Sequence, residues 1–216
     1  MKKYILITSA LIASFYINAQ VNSAPVIGNL FTFGVDGGIA LPSGDFSSTN
    51  NTSSSGTING FAKAGFHYDI YGGFKFSKFI GIMLQYGANN NSLNTSAINT
   101  PPGGTVSSDG RYTTSEYLAG HYLSISLQKI KIEAKLLGGM VSNSYPPLTF
   151  SSYGNSVVDA YQNGSGFGYC IGGKVKYMMI GGMLGIGIGL NYVGSDVKYA
   201  GFTQDGVSQP NSSTKM

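Results

Sequence analysis

The fold this sequence predicts is all-β: an antiparallel up-and-down transmembrane β-barrel of the eight-stranded type, with seven strands present. Three observations predict it. Apolar residues recur at every second position along seven segments between residues 30 and 192. The connections between those segments alternate between short and long. The composition is that of a surface facing lipid, with charged residues at only 10% and 32 glycines, 15 tyrosines and 12 phenylalanines in 216 residues, against about 25% charged residues in soluble proteins. A chain of this length makes one domain.

In the first segment Phe31, Phe33, Val35, Ile39 and Leu41 share one face, and Thr32, Gly34, Asp36 and Gly38 the other. This is the period of a strand with unlike faces. The second sets Ala62, Ala64, Phe66, Tyr68, Ile70, Phe74 and Phe76 against Lys63, Gly65, His67, Asp69, Tyr71, Gly73 and Lys75. The third alternates Ile80, Ile82, Leu84 and Tyr86 with Gly81, Met83, Gln85 and Gly87, and the fourth Leu123, Ile125 and Leu127 with Tyr122, Ser124, Ser126 and Gln128. The fifth opposes Ile130, Ile132, Ala134, Leu136 and Met140 to Lys131, Glu133, Lys135, Leu137 and Gly139. The sixth opposes Phe167, Tyr169, Ile171, Val175 and Tyr177 to Gly168, Cys170, Gly172, Lys174 and Lys176. The seventh opposes Leu184, Ile186, Ile188, Leu190 and Tyr192 to Gly185, Gly187, Gly189 and Asn191. Each is about the 9 to 11 residues of a tilted membrane strand, or longer.

Residues 42–60, 89–116 and 142–165 form long connections rich in Asn, Ser, Thr, Gly and Pro, whereas only a few residues near Ser77, Gln128 and Ile180 join the remaining pairs. Short turns at one end and long loops at the other are the asymmetry of outer-membrane barrels. Seven strands are an odd count, and a bacterial barrel needs an even one. The domain is therefore expected to lack its closing strand and to leave residues 30–41 without a full-length partner on one edge. A rival arrangement turns at Gly194, Ser195 and Asp196 and uses residues 197–202 as a stunted eighth strand, but six residues are too few to cross.

Residues 1–19 read as an export signal, with Lys2 and Lys3, an apolar run from Tyr4 to Ile17 and small Ala19 before Gln20. The barrel domain then spans 20–216. Without Lys2 and Lys3 the formal charge falls from +4 to +2, leaving 11 bases against 9 acids, so no nucleic-acid partner is expected. Cys170 is the single cysteine, which excludes an internal disulfide. No later run reaches 18 apolar residues, so any crossing must use strands.

All nine charges within the segments lie on the glycine-rich face: Asp36, Lys63, Asp69, Lys75, Lys131, Glu133, Lys135, Lys174 and Lys176. Glycine only weakens a strand face open to water, but inside a narrow barrel it makes room for long lysine and tyrosine side chains. These nine, with His67, are expected to form a polar network in the lumen, paired as buried charges must be. The apolar face then meets outer-membrane lipid. The alternative is a soluble lipocalin-like ligand-binding barrel with the faces reversed.

The segment Ile17-Asn18-Ala19-Gln20, the run His121-Tyr122-Leu123-Ser124-Ile125-Ser126-Leu127 entering a tight turn, and the alternation from Leu30 to Tyr192 resemble the small outer-membrane β-barrel family of the OmpA and OmpX type. Within it the chain is similar to PorT-like barrel-domain proteins of Bacteroidetes-type bacteria. The resemblance implies an eight-stranded barrel with a loosely defined surface role, and it supplies no catalytic residues.

Some small barrels modify lipid, which makes His67, His121, Ser124 and Glu133 the catalytic candidates. His121 and Ser124 are three apart and so point to opposite faces of one strand. His67 and Asp69 share the inner face, as an acid–base pair or as part of the internal network. Two histidines and one cysteine, widely scattered, make no metal cluster. Asp45, Asp109, Glu116 and Asp159 are isolated loop carboxylates, too dispersed for calcium. Phe74, Phe76, Phe79, Tyr117, Tyr177 and Tyr192 fall near segment ends, where aromatic girdles belong. The loop aromatics Tyr145, Phe150, Tyr153 and Tyr161 are candidate contacts to an extracellular protein or surface, or pack on one another. The expectation is a non-enzymatic outer-membrane protein without cofactor or metal, structural or adhesive in role, with a lipid-modifying enzyme as the alternative.

Overall fold

A computed structural model describes residues 30–49, 60–100, 103–179, 184–199, 201–205, 207–208 and 214–215. The export signal at 1–19 and the turn near Ile180 lie outside the described residues. Seven long strands are present where seven alternating segments were read: β1 (Phe31–Ala40), β2 (Ala62–Lys75), β3 (Ile80–Leu93), β5 (Arg111–Leu127), β6 (Ile130–Ser144), β9 (Gly164–Met179) and β10 (Leu184–Tyr199). Each pairs antiparallel with the next in one up-and-down sheet. The short strands are β4 (Gly104–Ser107), β7 (Leu148–Ser152), β8 (Asn155–Tyr161), β11 (Phe202–Gln204), β12 (Val207–Ser208) and β13 (Thr214–Lys215).

The sheet curls into an open, barrel-like trough. Phe31, the first residue of β1, connects through Phe74, Ile82, His121, Leu136 and Ile171 to Tyr192, eight residues beyond the start of β10 at Leu184. That stagger is the shear which tilts strands around a barrel axis. Among the described residues β1 forms a strand ladder only with β2, and β13 joins β10 only through Lys198 and Tyr199. β10 runs unbroken through Gly194, Ser195 and Asp196 to Tyr199, so the turn of the rival arrangement does not form at those residues.

At the turn end, Ser77 Oγ accepts the backbone N–H of Ile80 at 3.1 Å, and Gln128 takes a left-handed φ of 52° in the two-residue turn between β5 and β6. At the other end the long connections are shorter than the sequence suggested. β3 runs on to Leu93 and β5 begins at Arg111, so Asn89 and Glu116 belong to the wall and not to a loop. Much of what remains folds into a second sheet, ordered β12-β11-β8-β7-β4, which caps that end. Its central hairpin turns at Tyr153 and Gly154, both with positive φ (50° and 83°), the geometry that suits the twist of a two-residue hairpin.

The alternation breaks at one place. Pairing shifts between Ala62 and Gly65, and a bulge of this kind puts the residues before it out of phase. Ala62 is therefore buried, while Lys63 and Ala64 are both exposed. Lys63, expected in the lumen, does not join the internal network.

Candidate functional site

Inside the trough, several acids and bases on different strands meet across it. Asp36 on β1 and Asp69 on β2 face Lys135 on β6 and Lys174 on β9. The Lys174 ammonium pairs with Asp36, and Lys135 lies 3.9 Å from Asp69 and donates to Gln85 Oε1 on β3 at 2.6 Å. Lower down, Glu133 holds Lys131 at 3.0 Å and Lys176 at 2.7 Å. Tyr71 stands between the two sides: its hydroxyl accepts from Lys176 at 2.9 Å and Lys174 at 3.3 Å, and the Lys174 ammonium is 4.4 Å from its ring centre, a cation–π distance. These contacts tie β1 and β2 to β6 and β9 and so hold the curl. Lys75 is buried at the turn end of β2, in the same inner row.

Lysine can reach so far because β10 presents glycine beneath it. A Cβ added at Gly187 would collide with the Val175 carbonyl and meet Lys176 Cγ at 2.9 Å, and one at Gly189 would meet Lys174 Cβ at 3.2 Å. Tyr71, Met83, Leu118, Tyr122, Leu137 and Cys170 fill the middle of the trough. Along β1 and β10 it stays open, leaving a groove of about 1490 Å³. The trough is therefore filled through its middle and open along one side.

Above that middle layer lies a chain of four polar groups. The His67 ring contacts Asp69 Oδ2 at 3.2 Å through Nε2 and Asn89 Oδ1 at 2.7 Å through Nδ1. Asn89 Nδ2 donates to Glu116 Oε1 at 2.5 Å. Asp69 and Glu116 are both 0% exposed. Gly87 makes the space: a Cβ there would lie 3.0 Å from Glu116 Oε2 and 3.5 Å from His67 Cε1. Asn89 and Glu116 were missed because they were assigned to a loop. The available signal was parity, since Asn89 continues the inner row Met83, Gln85, Gly87 and Glu116 the inner row of Tyr122 and Ser124.

Both ring nitrogens of His67 are already engaged, one by Asp69 and the other by Asn89, so neither is free to activate a nucleophile. His121 points outward and is exposed, while Ser124 is buried inside, so the two form no dyad. No group of three His, Cys, Asp or Glu side chains among the described residues is arranged to hold a metal ion.

The cap covers an aromatic core of Phe61, Tyr112, Tyr145, Leu148, Val197 and Tyr199, with Phe46, Phe150 and Tyr161 packed against it. Tyr145 sits 4.9 Å from Tyr112 and 4.7 Å from Tyr161, ring centre to ring centre. Burial raises the Tyr145 phenol and pushes Tyr161 up to about 12. Of the four loop aromatics, for which contact and self-packing were both open, Tyr145, Phe150 and Tyr161 are thus taken up by self-packing. Tyr153 alone, 85% exposed at the hairpin tip, is free to meet another surface.

The outer face of the long strands carries a band of exposed apolar side chains: Phe33 and Val35 on β1, Ile70 on β2, Leu84 on β3, Ile125 on β5, Leu136 on β6, Ile171 on β9 and Ile188 on β10. Aromatic pairs border it. Towards the cap these are Tyr86 with Tyr117 at 5.1 Å and Tyr169 with Tyr192 at 6.2 Å, and at the turn end Phe31 with Phe74 at 5.3 Å. His121 lies within this band, flanked across the sheet by Ile82 and Leu136, and not at its rim. Compared with family models, with curated proteins and with solved structures, the chain matches none.

Proposed function

We propose that the chain is an integral outer-membrane β-barrel protein of the small OmpA/OmpX-like type, which anchors a folded cap at the cell surface and acts by contact, without catalysis. One observation carries the reading: the sheet is inverted relative to a soluble protein. Its exposed outer face is built of Phe, Ile, Leu, Val and Tyr, while its lysines and carboxylates pair inside. Soluble proteins rarely expose contiguous apolar patches beyond a few hundred Å², and a lipid-facing strand row edged by aromatics is what a spanning barrel requires. Outer-membrane lipid is then the partner of the band. Tyr153, at the tip of the cap hairpin, is the side chain best placed for an extracellular protein or surface.

The engagement of both His67 nitrogens and the opposite orientation of His121 and Ser124 favour this reading over a lipid-modifying enzyme. Cell fractionation tests it: the protein is expected in the outer-membrane pellet, resistant to alkaline carbonate and released by detergent. Recovery in the soluble periplasm without detergent overturns it and restores the lipocalin-like alternative.

A further inference from the structure

We propose that the turn end of the trough is an anion site, in which Lys75, Lys131 and Lys176, with the hydroxyls of Tyr122 and Ser124, hold a phosphate group, free or as a monoester. The charges there do not balance. Lys131 and Lys176 both pair with Glu133, at 3.0 Å and 2.7 Å. Lys75, only 9% exposed, makes no ion pair among the described residues. Three ammonium groups thus share one carboxylate, an excess of two positive charges. Asp36 and Asp69, the next acids up the trough, are met by Lys174 and Lys135.

Strand pairing gathers these groups. Lys75 is opposite Gly81 of β3, and Gly81 is opposite Tyr122 of β5. A Cβ at Gly81 would lie 2.5 Å from the Tyr122 ring and one at Gly73 2.9 Å from it, so the ring reaches across β3 towards β2 and carries its hydroxyl to the Lys75 side. Ser124 is held beside the β2–β3 turn, where its backbone N–H donates to the Phe79 carbonyl at 2.7 Å, and it is opposite Glu133. Lys131 and Lys176 are opposite each other on β6 and β9, and Lys75 is within electrostatic reach of Lys131 and Glu133.

Two unmet needs point to a ligand. The Tyr122 hydroxyl and Ser124 Oγ are buried without a hydrogen-bond partner among the described residues, which is costly. A buried ammonium likewise needs a counter-charge. A neutral Lys75 would offer one lone pair to two hydroxyls, in a site still positive by one charge. An oxyanion meets both needs, because it accepts from ammonium and hydroxyl groups alike. A phosphate monoester carries about −1.5 to −2 at neutral pH, close to the excess; a lipid phosphodiester, with a single charge, leaves the site unbalanced. Lys131 and Lys176 also line the open groove, which gives the ligand its way in.

The test titrates inorganic phosphate by calorimetry into the full-length protein, refolded in an uncharged, phosphate-free maltoside detergent. The assay needs no membrane, so its result is independent of the localisation reading. Expected is saturable binding of one phosphate per chain. Lys75→Met is expected to weaken it about tenfold or more, the worth of a hydrogen bond to a charged group, with far-ultraviolet dichroism unchanged. Tyr122→Phe, which keeps the ring over Gly81, is expected to weaken it several-fold and decides the matter if Lys75→Met does not fold. Lys78→Met, at an exposed lysine in the β2–β3 turn, is expected to leave binding unchanged, which separates a built site from general attraction to a basic surface. Phosphatidylglycerol added to the micelles is expected not to displace phosphate. The proposal is overturned by a folded protein that binds no phosphate, by equal weakening in Lys75→Met and Lys78→Met, by full binding in Tyr122→Phe, or by displacement with the lipid, which would assign the site to a phosphodiester headgroup.

Discussion

The lipid-facing assignment makes a quantitative prediction along one strand. Tyr117 and Leu127 lie on the same outer face of β5, ten residues apart. At about 3.3 Å per residue and a tilt of about 40° they span about 25 Å, the height of the apolar band of a membrane barrel. Leu123 then sits about 10 Å inside the rim marked by Leu127. Arginine costs about 2 to 4 kcal/mol at the bilayer midplane and about 0 to 1 kcal/mol near the interface. Leu123→Arg is therefore expected to lower the folding equilibrium constant about 30- to 700-fold, at about 1.4 kcal/mol per tenfold, and Leu127→Arg no more than about fivefold. Leu127 is the more exposed of the two, 56% against 39%, so a difference in packing alone would be modest. Reversible denaturant titration of folding into liposomes measures both variants. In water, surface substitutions stay within about 0.5 kcal/mol. Equal, small effects at the two depths would refute the lipid assignment.

Three further outcomes follow from the interior and the cap. Gly187→Ala is expected to destabilise by about 1 to 3 kcal/mol, the cost of overpacking, because the added carbon meets the Val175 carbonyl and the Lys176 stem; the same titration reads it, and a neutral result would mean that the lysines do not lie across β10. Lys174→Met removes the cross-trough pair with Asp36, whose side chain retains 28% exposure. The loss is expected to be about 1 kcal/mol after solvent screening, with amide exchange accelerating first in β1. Tyr161, pushed up to about 12 by burial, should stay un-ionised at the pH, near 10, where a phenol in a model peptide loses its proton. Its folded pKa lies above its unfolded one, so its contribution is fully present below pH 10 and is lost as pH rises towards 12. Absorbance at 295 nm together with near-ultraviolet dichroism should show cap loosening in that window, and ionisation of every tyrosine near pH 10 would contradict the packed cap.

The seven strands and their two faces were legible because the information is local. Residues 130–140 announce their faces by alternation alone, and the structure keeps the resulting parity from Ile130 to Met140. The short turns near Ser77 and Gln128 were likewise written in strand spacing. The cap was not, because above the apolar band both faces of a strand are polar and period two disappears. Asn89 to Leu93 of β3, and Arg111 to Glu116 of β5, therefore read as loop although they are wall.

For Glu116, parity marked the face but burial marked the role, and burial depends on Asn89 and His67 arriving from two other strands. Lys63 failed for a different reason, since a one-residue irregularity is a property of the β2–β3 pairing and leaves no trace in β2 alone. By itself the sequence determined that strands alternate between an apolar face and a face of glycine and charge, because side-chain direction follows from the pleat of each strand. Only the tertiary structure decided which charge meets which. Lys174 finds Asp36 across 138 residues because the stagger of the strands brings β9 and β1 to one level and the glycines of β10 clear the path between them.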